Sequence, residues 1–129
     1  MSDPQYSGSC LCGAVRFVVT GDLKAPDACH CSQCRRVSGH VWASTDVPDD
    51  RLTVIGEDQV RWFQSSAQVR RGFCATCGSA LFWKPIHQPR TAVAMGAFDM
   101  PTDTHLEMHI FVCDKGDYYD IADGVPQES

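Results

Sequence analysis

Cys10-Leu11-Cys12-Gly13-Ala14-Val15-Arg16-Phe17-Val18-Val19-Thr20 is the stretch from which the rest of the chain can be read. It opens with a pair of cysteines closed by a glycine. Val15, Phe17 and Val19 then alternate with Arg16, Val18 and Thr20. Alternation of this kind predicts a strand over 14–20 with one buried face. Glycine after the second cysteine suits a tight knuckle, where the backbone takes a positive φ and turns N–H groups toward sulfur.

Further along, Cys74-Ala75-Thr76-Cys77-Gly78 ends on the same cysteine–glycine step. A third group, Cys29-His30-Cys31-Ser32-Gln33-Cys34, is followed by Arg35 and lacks the glycine. Cys113 stands alone as the last of eight cysteines. Zinc favours four ligands in a tetrahedron, and thiolate sulfur is a preferred donor. Seven clustered cysteines therefore divide as four plus three. The two glycine-closed pairs, Cys10, Cys12, Cys74 and Cys77, read as a closed structural site that ties the first strand to the middle of the chain.

Cys29, Cys31 and Cys34 remain. On an extended segment, Cys29 and Cys31 face one way and His30 the other. A turn after Cys31 brings Cys34 to the same ion. Three protein ligands leave a fourth position open, as in catalytic zinc sites. The alternative is closure by a distant side chain, with Cys113 the first candidate and His30, His105 and His109 behind it. Arg35 and Arg36 are candidates for binding carboxylates beside the site, or ordinary surface charge.

The 129 residues fit one domain, 1–129. Apolar residues make up 43%, enough for a modest core that metal ties would reinforce. A net charge of −5 argues against nucleic acid as a partner. The polar start, Met1 to Tyr6, does not resemble a signal peptide, and no apolar run is long enough to span a bilayer. A cytoplasmic protein is expected, and there eight cysteines favour metal over disulfides.

Besides 14–20, short strands are predicted over 40–46, 51–56, 58–64, 67–73, 79–84, 91–98 and 105–112, with a helical turn over 32–37. The fold class is all-β.

Three blocks carry a resemblance over about residues 7–127. They are Gly8-Ser9-Cys10-Leu11-Cys12-Gly13-Ala14-Val15, Cys29-His30-Cys31-Ser32-Gln33-Cys34-Arg35-Arg36, and Arg71-Gly72-Phe73-Cys74-Ala75-Thr76-Cys77-Gly78-Ser79. Together they resemble the glutathione-dependent formaldehyde-activating enzyme (GFA)/CENP-V family, and His109 to Val112 and Asp123 to Gln127 look like its later motifs. The resemblance implies a β-tent fold of antiparallel sheets around zinc knuckles, and two zinc ions divided as above, with Cys29, Cys31 and Cys34 catalytic. It also implies carbon–sulfur lyase chemistry, joining glutathione and formaldehyde to S-hydroxymethylglutathione and reversing it. His109, inside a family motif, is a candidate for proton transfer to the nascent alkoxide or a satisfied strand histidine.

The chain departs from the family pattern after Val112. Cys113-Asp114-Lys115-Gly116-Asp117-Tyr118 stands where a proline and a tryptophan are expected, and His40-Val41-Trp42 also differs. These changes bear on the substrate pocket rather than the metal sites. A rival reading is a non-catalytic zinc module that docks on a protein. A zinc hydrolase or deaminase ranks below it, because no His-x-Glu element accompanies the cysteines.

Overall fold

The computed structural model describes residues 3–129. It is mainly β, as the residue pattern predicts. The predicted strand over 14–20 is β2, Arg16–Thr20, with Phe17 and Val19 buried. It sits between β1, Gln5–Ser9, and β5, Leu52–Ile55, in a three-stranded antiparallel sheet.

The second sheet has seven strands. They are β3 (Asp27–Cys29), β4 (Trp42–Pro48), β6 (Val60–Ser66), β7 (Val69–Cys74), β8 (Ala80–Pro85), β9 (Arg90–Ala94) and β10 (Met108–Ile110), in the order β10-β3-β4-β9-β8-β7-β6. All neighbours pair antiparallel except β10 and β3, which run parallel. Among the described residues a single α-helix, α1, spans Ser32–Ser38 where a helical turn was expected.

The main core lies between the sheets. Phe17 of β2 meets Phe82 of β8 edge-on, with centroids 6.1 Å apart, and Phe98 at 5.0 Å. Val15, Val19, Val47, Leu81 and Val93 fill the space around them. The opposite face of the large sheet carries a smaller cluster of Cys29, Cys34, Trp42 and Ala94.

Several segments differ from the pattern reading: Asp27–Cys29 forms a strand that was not predicted, and the strand predicted over 91–98 ends at Ala94, where Met95–Ala97 makes a 3-10 turn. Residues 5–9 form a strand although the chain there is polar, because Tyr6 and Gly8 alone turn inward. The predicted strand over 105–112 shrinks to Met108–Ile110, since its pairing partner β3 is only three residues long.

Candidate functional site

Alternation along β7 serves both cysteine groups. Cys74 faces the core between the sheets, whereas Arg71, three residues earlier, faces the other side.

The first group forms from two knuckles. Val15 N–H donates to Cys10 Sγ at 3.3 Å, and Thr76 and Cys77 N–H point at Cys74 Sγ at 3.4 and 3.5 Å. Gly13 and Gly78 have φ of 81° and 78°, the positive values each knuckle needs. Ser79 joins the two: its Oγ accepts from Leu11 N–H at 3.0 Å and lies 3.2 Å from Cys77 Sγ. The Ser79 hydroxyl and its backbone N–H hold the Cys77 thiol down to about 5.

Cys10, Cys12, Cys74 and Cys77 bring their sulfurs within 4.8 Å of one another. Cys12 Sγ lies 3.6 Å from Cys10 Sγ and 3.7 Å from Cys74 Sγ. A tetrahedron with metal–sulfur bonds of about 2.3 Å has edges of about 3.8 Å. The donor set therefore fits a tetrahedral, sulfur-loving ion such as zinc.

Cys29, Cys31 and Cys34 form the second group, again with sulfurs within 4.8 Å. Cys29 ends β3. Cys31 caps α1, its sulfur accepting from Cys34 N–H at 3.3 Å. The first turn of α1 then carries Cys34 back to its neighbours. The Cys29 thiol and the Arg71 guanidinium hold the Cys34 thiol down to about 6.

Among the described residues, no fourth cysteine, histidine, aspartate or glutamate joins this group. The side chains considered for closing it lie elsewhere. Cys113 is exposed. His105 is exposed on the segment before β10. His30 points away from the sulfurs, with Nδ1 2.7 Å from Tyr119 Oη and Nε2 2.9 Å from His109 Nδ1. His109 Nε2 in turn lies 2.8 Å from Asp123 Oδ2. Both nitrogens of each ring are thus engaged on the far side of β3. Burial, with His109 alongside, pushes His30 below its ordinary value.

The three sulfurs open onto a cavity of about 520 Å³, within the range of small-molecule sites. Trp42, Trp83, Ile110 and Phe111 supply apolar walls. Arg90 is tied to Asp46 at 2.6 Å, and both line the cavity. Arg35, Arg36 and His109 do not line it. The arginine at this cavity beside the sulfurs is Arg71, whose Nη2 is 3.6 Å from Cys34 Sγ.

Strand reading alone does not single out Arg71. The available signal is a charged side chain in a strand, an odd number of residues before a knuckle cysteine that faces the core. Of the departures after Val112, Tyr118 reaches His40 through its hydroxyl; Tyr119, the next residue, reaches His30.

A Halomonas elongata protein, provisionally named a glutathione-dependent formaldehyde-activating enzyme, is 29% identical over 95% of this chain and 89% of its own. A Schizosaccharomyces pombe protein, described only as an uncharacterized lyase, is 25% identical over 92% of this chain and 87% of its own. The crystal structure of a Rhodobacter sphaeroides protein superposes with a TM-score of 0.58 at 20% identity, covering 95% of this chain and 99% of that one, which shows a shared fold. The profile of the family "Glutathione-dependent formaldehyde-activating enzyme" matches residues 5–114, and with most of its length inside that match the chain belongs to this family.

Proposed function

We propose that this chain is a carbon–sulfur lyase that joins a glutathione-like thiol to a formaldehyde-like aldehyde, and splits the adduct, at Cys29, Cys31 and Cys34. The observation that carries this reading is the three-sulfur group in the cavity wall, which no fourth ligand among the described residues joins. Family membership and the names of the relatives support the reaction class.

In this reading, Cys10, Cys12, Cys74 and Cys77 hold a structural zinc, and Cys29, Cys31 and Cys34 a second one. When bound there, zinc supplies a position in which a substrate thiol loses its proton. The chain's own residues set the surroundings. Three thiolates against a divalent ion leave a net charge of −1, which Arg71 offsets. Trp42, Trp83 and Phe111 limit water around the reacting atoms. In the forward direction the thiolate sulfur bonds to the aldehyde carbon, the carbonyl electron pair moves to oxygen, and a solvent proton completes the hydroxyl. In reverse the hydroxyl loses its proton, the carbon–sulfur bond breaks and thiolate departs.

Cobalt substitution tests thiol coordination. Adding glutathione to the cobalt-loaded protein should shift the absorption bands of the three-cysteine site. A spectrum unmoved by saturating thiol would exclude direct coordination. A docking module is disfavoured because such a site would be closed by a fourth side chain, and Cys113 lies outside the group.

A further inference from the structure

Phe111 holds a backbone conformation that its own side chain disfavours. Its φ and ψ are 55° and 39°, in the left-handed region. The other positive-φ residues among those described are six glycines and Asp103. Glycine takes this conformation freely and aspartate tolerates it, whereas a bulky side chain there is strained. Hydrogen bonds on either side keep the chain in place. Ile110 O accepts from His30 N–H at 3.0 Å, Phe111 O accepts from Asp114 N–H at 3.0 Å, and Val112 N–H donates to Glu128 O at 2.9 Å.

The ring does little for the fold. Phe111 is 50% exposed and belongs to neither hydrophobic cluster. The turn does place it. Along β10, His109 faces away from the sulfurs, and Ile110 lines the cavity. Continued alternation would send Phe111 back to the side of His109. The left-handed turn ends the strand instead. Phe111 then joins Ile110 in the cavity wall, one residue past the position paired with Cys29. Backbone strain of this kind concentrates at active sites and ligand clamps.

We propose that Phe111 is a specificity contact for the thiol substrate. Its ring packs against the carbon body of a thiol whose sulfur is held at Cys29, Cys31 and Cys34. The site then favours thiols with an extended organic body, such as glutathione, over small alkanethiols. The proposal rests on the lyase reading of the site. The ring makes and breaks no bond and moves no proton. Its exposed half is apolar surface that a ligand can cover, and covering about 60 Å² of such surface shifts binding about tenfold.

Glutathione and ethanethiol separate this role from a structural one. Both are titrated into cobalt-loaded wild type, Phe111→Gly, Phe111→Asn and Phe111→Tyr at matched metal content, and the absorption bands of the three-cysteine site report binding. Gly and Asn accept the left-handed backbone, so one serves if the other fails to fold. Tyr keeps the ring. The preference for glutathione over ethanethiol should fall about tenfold in the Gly and Asn variants, with ethanethiol affinity retained, and should persist in the Tyr variant. Thermal unfolding adds a second readout: Phe111→Ala lacks both the ring and the left-handed freedom, so it should melt below Phe111→Gly. An Ala variant that melts as high as the Gly variant removes the strain and overturns the proposal. A wild type without the preference, an unchanged preference in a folded Gly or Asn variant, or an equal loss of both thiols overturns the role of Phe111 and leaves the lyase reading intact. Failure of both thiols to bind wild type overturns the lyase reading, and the proposal with it.

Discussion

Cys12 Sγ and Cys74 Sγ lie 3.7 Å apart, although 62 residues separate them. A metal held there closes a long loop between the three-stranded sheet and the seven-stranded one. Structural zinc binding is worth on the order of 10 kcal/mol, comparable with the whole stability of a domain. Cys74→Ser should therefore lose one zinc and much of its cooperative unfolding. Zinc content and a melting curve on the same preparation check this. A variant that keeps both ions and the wild-type midpoint would place the structural tie elsewhere.

Phe17 is fully buried between the sheets and meets Phe82 and Phe98 edge-on. Phe17→Ala should cost about 3–5 kcal/mol, the usual range for emptying a large core position. Denaturant unfolding measures the loss. Cys10 and Cys74 share its core cluster, so zinc content is read on the same preparation to separate lost packing from lost metal.

Tyr119 Oη contacts His30 Nδ1 at 2.7 Å, and His30 is only 2% exposed. Tyr119→Phe leaves that nitrogen buried without its partner, at a cost of about 1–3 kcal/mol. Stability should fall while zinc content and thiol binding hold, because His30 faces away from the sulfurs. Loss of the second zinc in this variant would mean that the His30–His109–Asp123 chain supports the cysteines directly.

Asp49 accepts from Lys84 Nζ at 2.7 Å and from Thr91 Oγ1 at 2.8 Å. Burial raises its carboxyl, but these two bonds outweigh it and hold the group below its ordinary value. A carboxylate with a lowered folded pKa stabilises above its unfolded value and loses that contribution as pH falls through the folded one. The stability gap between wild type and Asp49→Asn should thus be full at neutral pH and narrow below about pH 4. Comparing the two proteins at each pH cancels any metal loss they share. A gap that widens on acidification would reverse the sign of this account.

Much of this was legible in the residues. Val15, Phe17 and Val19 announce β2, and both knuckle glycines take the positive φ expected of them. The division of cysteines into four and three follows the glycines and matches the two sulfur groups. Other parts were not legible. Gln5 to Ser9 has little apolar signal, and Gly8 is needed there because the Phe17 ring and the Ala97 carbonyl crowd its Cα. The C-terminal chain after Val112 gives no periodicity, since it is ordered by isolated contacts: Tyr119 on His30, Asp123 on His109, and backbone hydrogen bonds that set Pro126 and Glu128 beside β10. Arg71 escaped notice because its meaning lies across the sheet, beside a sulfur 37 residues away.

The central claim is that the sulfurs of positions 29, 31 and 34 grip an ion with room for a substrate. Zinc content and the rate of exchange between formaldehyde and its glutathione adduct, measured together for wild type and Cys31→Ser, test it most directly. The account predicts two zinc ions per wild-type chain and exchange faster than the uncatalysed background. Cys31→Ser should retain one ion and lose the acceleration. Equal acceleration in both proteins, or a single ion in wild type purified under reducing conditions, would contradict it.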